Sequence, residues 1–208
     1  GVLGRFAQAR GAALHLATSF ALIDQAQREQ DPRTWFYVDN HMRPYTGKLV
    51  VRKGWRMQDK RVRPGTSDYW VHDQDGRPLL RVNSPSHESM TERLRPIARL
   101  LRDGLDHAGA ERTKVALVFD RAGAFPSEMA ALRNAGVEFV TYERGPYARL
   151  LTTEFDHELT LAGETFLYCE KHDKNLGRAR GRVRRINLLT EDGDQVNIIG
   201  VSEASAKT

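Results

Sequence analysis

A single cysteine, Cys169, stands in 208 residues. One thiol excludes an intrachain disulfide framework and fits a reducing compartment. With no Cys or His partner at ligand spacing, Cys169 reads as a small apolar residue on a strand. No apolar run approaches the roughly 20 residues that a membrane-spanning helix needs. The chain also lacks an internal repeat, a low-complexity tract, a Gly-x-x-x-x-Gly-Lys-Ser/Thr phosphate loop, zinc-ligand spacing and a Gly-x-Ser-x-Gly elbow. Asp39-Asn40-His41 lacks the second aspartate, two positions on, that an aspartyl phosphatase would use. The opening Gly1-Val2-Leu3-Gly4-Arg5-Phe6 is neither a signal peptide nor a natural initiator, so a longer parent chain is expected.

What is present suits a soluble folded protein: 40% hydrophobic and 28% charged residues, enough for one sizeable domain or a core with a large insertion. A net charge of +5 admits an anionic partner without requiring one. Phe6, Ala9, Leu16, Phe20 and Ile23 recur at helical spacing, which predicts a helix over 4–29, ended by Asp31-Pro32. Strands are expected at Trp35–Asp39 and Lys48–Arg52. Asp73-Gln74-Asp75-Gly76 joins two more in a hairpin, Tyr69–His72 and Leu79–Val82. Ser89 and Glu92 have capping-box spacing before the stripe Met90, Leu94, Ile97, Leu101 and Leu105. Pro96 conflicts with that helix and predicts a kink, or a start nearer Arg95. A strand ending at Asp120, a helix between Pro126 and Gly136, and a strand at Val137–Thr141 follow. After residue 146 alternation returns in Thr165–Cys169, Val183–Leu189 and Gln195–Val201. The resulting division is a helical lead-in (1–30), an α/β core (31–145) and a β-rich piece (146–208).

Two aspartates stand out. Asp39 closes Trp35-Phe36-Tyr37-Val38-Asp39, and Asp120 closes Val115-Ala116-Leu117-Val118-Phe119-Asp120. Both runs read as buried strands, and a carboxylate is costly to bury unless it is paired, hydrogen-bonded or bound to metal. Two such acids point to one oxygen-ligand site for Mg²⁺ or Mn²⁺, where in-line displacement at phosphorus is common chemistry. For either alone, a helix N-cap or turn role stands beside that reading. The element order over 35–141 matches a ribonuclease H-like mixed sheet with flanking helices, whose first and fourth strands would bring the acids together.

FYVDNHMRPYTGK around Asp39 and VALVFDRAGAFPSEMAALRNAGVEFVTYER around Asp120 resemble DDE transposases of bacterial insertion sequences. The resemblance is to the branch whose ribonuclease H-like core carries a β-strand insertion, and it spans about residues 30–150. It implies that Asp39 and Asp120 are the first two of three acids holding two Mg²⁺ (or Mn²⁺) ions for phosphodiester hydrolysis and strand transfer. It also implies DNA ends and target DNA as partners, a homodimer or higher assembly, and work in the bacterial cytoplasm. The third acid, a glutamate in a Tyr-x-x-Arg-x-x-x-Glu context, has no match here and is expected beyond Thr208. Glu143, Glu154, Asp156, Glu158 and Glu164 are in-chain alternatives that read as surface or turn carboxylates.

Lys171, Lys174, Arg178, Arg180, Arg182, Arg184 and Arg185 crowd one stretch of the tail. Four of the arginines alternate, so an extended strand would line one face with them. Mutual repulsion favours an anion across that face, and DNA backbone is the expected one. A charge-protected edge strand is the competing reading. Lys53 to Arg63 is a second basic patch with Trp55, read as a solvated loop. His41 would share the face of Asp39, as a substrate or metal contact or as a turn histidine. Arg121 is a phosphate contact or a structural residue. Beside the transposase stand two alternatives: a non-catalytic DNA-binding remnant, and a self-contained metal nuclease of the same fold completed by Glu143 or a nearby acid.

Overall fold

The computed structural model describes residues 19–23, 35–109, 114–170, 174–175 and 182–201. The fold is mixed α/β, mostly strands with few helices. The chain forms two compact units, Gly1–Leu117 and Val118–Thr208. No described helix is long and apolar enough to cross a membrane.

In the first unit, β1 (Trp35–Pro44), β2 (Lys53–Arg56), β3 (Arg61–His72) and β4 (Pro78–Pro85) form an antiparallel meander. β3 is its axis. Residues 66–72 pair with β1 and also with β4, which therefore lie on opposite edges, while Arg61–Pro64 pair with β2. Alternation along β1 turns Phe36, Val38 and Met42 inward and leaves Tyr37, Asp39, His41 and Arg43 exposed. The expected hairpin is present. Asp73 accepts from the Asp75 and Arg77 amides at 3.0 and 2.8 Å, and Gly76 takes φ +78. The expected strand at 48–52 is absent: Leu49 and Val50 lie in an exposed loop, and pairing begins at Lys53.

Helix α1 (Met90–His107) runs through Pro96 and starts at Met90, not near Arg95. Glu92 returns to the Ser89 amide at 2.7 Å, which fixes that start. Its stripe, Leu94, Ile97, Leu101 and Leu105, is fully buried with Phe36, Tyr69 and Val71. Each such side chain contributes about 1.5–3 kcal/mol. Gly104 lets residues 19–23, which are helical, approach α1: a Cβ there would lie 2.6 Å from Ile23 Cδ1. The rest of the expected N-terminal helix lies outside the described residues.

The second unit begins within β5 (Ala116–Phe119). A 3-10 turn (Arg121–Gly123), helix α2 (Pro126–Asn134) and β6 (Glu138–Tyr142) follow. Pro126 opens α2, and after it Gly136 takes φ +68 while Val137 N reaches back to Leu132 O. Then come β7 (His157–Leu161), β8 (Glu164–Cys169), β9 (Lys174–Asn175), β10 (Arg182–Leu189) and β11 (Gln195–Val201). The spatial order is β5-β6-β11-β10-β8-β7, with β9 on β10. β11 thus lies between β6 and β10, so the tail strands continue the sheet of β6.

Candidate functional site

Asp39 lies in the middle of β1, not at its end, because β3 keeps pairing with β1 as far as Pro44. It stands opposite Trp70 on the polar face of the meander, with His41 opposite Asp68. The Asp39 side chain is exposed, and Oδ1 accepts from Asn40 N at 2.8 Å. Asp68 on the same face is buried beneath Arg43 Nε (2.6 Å), Arg81 Nη2 (3.2 Å) and Asn83 Nδ2 (2.7 Å). Arg81 also lies over the Trp70 ring. Asp68 is therefore neutralised by its neighbours, whereas Asp39 presents its charge to solvent.

Asp120, in the second unit, follows β5 and caps the 3-10 turn by accepting from Ala122 N. It too is exposed. Its carbonyl accepts from Thr141 Oγ1 at 3.1 Å, tying the end of β5 to β6. The Arg121 carbonyl accepts from Arg144, whose guanidinium lies 4.1 Å over Phe125. The turn-capping role is thus what the local geometry displays. Burial cost, the reason for singling out both acids, applies to neither.

Lys171, Arg178 and Arg180 lie outside the described residues. Lys174 and Arg182 sit on paired backbone, Lys174 opposite Val183 and Arg182 opposite Asn175. Arg184 and Arg185 do not share a face. Exposed Arg184 pairs with Glu170, and its Nε donates to Glu170 Oε2 at 3.2 Å. Arg185 turns inward to Glu143 Oε1 at 2.9 Å. β10 is flanked by β11 and β8, so it is no edge strand over its second half.

Glu143 is 5% exposed. Besides Arg185 it accepts from Asn197 Nδ2 at 2.9 Å, and Asn197 Oδ1 accepts from Gln195 Nε2 at 2.8 Å. Gln195 Oε1 in turn accepts from Leu150 N. Neither Asn197 nor Gln195 carried a sequence signal, since an amide two residues from another on a strand is ordinary. Both Glu143 oxygens are engaged, which sets it apart from an open metal ligand. Glu154 accepts from Leu151 N, and Asp156, Glu158 and Glu164 are exposed. Cys169 is buried, with Asn187 Nδ2 3.6 Å from its sulfur.

A family model described as a transposase protein matches residues 23–205. The chain belongs to this transposase family. No curated protein matches it. Among solved structures it is similar to piggyBac transposase in a synaptic complex with hairpin DNA, determined by cryo-EM. That likeness has a TM-score of 0.45 and 9% identity, and covers 83% of this chain and 35% of the piggyBac chain. The chain thus spans about a third of the length of the structure it matches.

A site for Mg²⁺ or Mn²⁺ would need oxygen donors. Among the described residues, Asp39 and Asp120 each have one carboxylate oxygen held by a nearby amide, and carboxylate oxygen is the donor type that hard ions take. No group of three His, Cys, Asp or Glu able to hold a metal forms among the described residues. Each acid is thus of the right donor type, and neither stands in a three-ligand set among the described residues.

Proposed function

We propose that this chain is the catalytic region of an insertion-sequence DDE transposase, with a ribonuclease H-like core and a β-rich insertion. Membership of a transposase family over 23–205 carries this reading. The reaction is phosphodiester hydrolysis and strand transfer on DNA, in the bacterial cytoplasm. Asp39 and Asp120 are the residues assigned to hold Mg²⁺ or Mn²⁺. When bound, the ion polarises a phosphodiester oxygen as a Lewis acid. Asn40 N and Ala122 N each fix one carboxylate oxygen, so the side chains are oriented before any ligand arrives. DNA backbone contact falls to Lys171, Lys174, Arg178, Arg180 and Arg182, since Arg184 and Arg185 already have acidic partners.

The test is Mn²⁺ titration followed by electron paramagnetic resonance, on the chain and on Asp39→Asn and Asp120→Asn. Each substitution is expected to weaken Mn²⁺ binding at least about tenfold, because each removes a charged oxygen donor. It should also abolish excision of an end-bearing donor in cells. Unchanged Mn²⁺ affinity in both variants, with native circular dichroism, overturns the assignment.

A further inference from the structure

The stretch read as a solvated loop is a paired ribbon with two unlike faces. β1 pairs with β3 only as far as Gly65, and the last paired residue of β4 is opposite Thr66. Beyond them, among the described residues, β3 has β2 alone, through Trp55↔Val62 and Arg56↔Arg61, closed by residues 57–60 with Lys60 at φ +49. The root is fixed: a Cβ on Gly54 would lie 2.1 Å from Ser86 O, and Ser86 Oγ donates to Arg52 O at 3.1 Å.

Residues paired directly across an antiparallel ladder share a face. Trp55 and Val62 therefore stand together, 55% and 58% exposed, with Lys53 on the same face and Met57 exposed in the turn. Arg56, Arg61 and Arg63 occupy the other face. In the turn, Asp59 accepts from Arg63 Nε at 3.0 Å and from Arg56 Nη1 at 3.5 Å, which sets two guanidiniums in place. From Lys53 to Arg63 there are five cations (Lys53, Arg56, Lys60, Arg61, Arg63) and one acid, Asp59. Trp55 and Val62 support each other across the ladder yet leave more than half of their surface in water beside five cations, and an exposed apolar surface rimmed by charge is a candidate for binding.

We propose that the ribbon binds an unpaired DNA strand, with Trp55 stacked on a base and Lys53 and Lys60 on the neighbouring phosphates. The cations select a polyanion, and the exposed indole selects one with accessible ring faces, which a duplex keeps stacked inside. This rests on the reading of DNA as the partner, but needs neither Asp39, Asp120 nor a metal.

The experiment titrates oligothymidylate, and separately a duplex of mixed sequence, into the whole chain in EDTA, following tryptophan emission and anisotropy. Oligothymidylate is expected to quench emission. Trp55→Ala should remove most of that quenching and weaken single-strand binding by about tenfold or more, while duplex affinity stays within about twofold. Lys53→Ala/Lys60→Ala should reduce the salt dependence of the same binding. The proposal is overturned by no binding of oligothymidylate, by equal losses for duplex and single strand, or by a Trp55-dependent dimer in sedimentation, which would give the face to a second copy. Because metal is absent, failure here leaves the Mn²⁺ result standing, and failure of the Mn²⁺ test leaves this one readable.

Discussion

In the first unit the buried carboxylate of Asp68 draws its partners from the two strands beside it in a short meander, Asn83 only 15 residues away. In the second unit Glu143 draws Arg185 and Asn197 from 42 and 54 residues later. Both meet the cost of desolvation with charge-assisted hydrogen bonds. They differ in what remains if the acid is lost. Each loss strands one amide, Asn83 or Asn197, but the arginines over Asp68 keep 52% and 34% of their side-chain surface in water, whereas Arg185 keeps 27%. A polar cluster made by neighbouring strands can relax to solvent; one assembled across the sheet from distant segments has less room to do so.

Glu143→Ala should therefore show the largest effect. We expect a loss of about 3 kcal/mol, at the lower end for breaking a buried pair because Arg185 is partly wet, read from urea unfolding. Glu143→Gln should recover part of it by keeping the Asn197 bond. Asp68→Ala should lose only about 1–2 kcal/mol, because Arg43 and Arg81 rehydrate. Equal losses at the two sites would break the comparison.

The smallest effect separates the units by pH. The Tyr69 phenol, fully buried in the first unit, donates to Glu88 O at 3.1 Å, and burial pushes its pKa up to about 12. A raised folded value means stability that is complete below the unfolded pKa of about 10 and is lost as pH rises through about 12. Ultraviolet titration should show one of the six tyrosines ionising late, together with alkaline unfolding, and Tyr69→Phe should remove that phase. A Tyr69 phase near 10 would show that the interior of the first unit admits water.

Local chemistry was readable from the chain. The capping pair Ser89 and Glu92, the α1 stripe, the Asp73–Gly76 turn and the Pro126/Gly136 bracket each depend on residues within a turn or two. The Asp39 strand was read too short because its continuation through His41 and Arg43 is polar, and pairing with β3 holds it extended. The patch from Lys53 to Arg63 read as loop for a related reason: charge on both strands hides the alternation that pairing imposes. As for the site, the sequence picked out Asp39 and Asp120 on an expectation of burial, yet both lie in solvent. Of the buried acids, Asp68 gave no signal and Glu143 was read as a surface or turn carboxylate, because their burial depends on arginines supplied from other strands.

By itself the sequence determined which segments are helix and which strand wherever periodicity and end signals agreed, since both are set by near neighbours along the chain. It also carried a resemblance to transposases, and the transposase family model matches residues 23–205. The tertiary structure alone decided that β11 lies between β6 and β10, that Arg184 and Arg185 point to opposite partners, and that Trp55 stands exposed on a ribbon. Those outcomes turn on which distant strand supplies the hydrogen bonds and countercharges, and that is fixed only when the whole sheet forms.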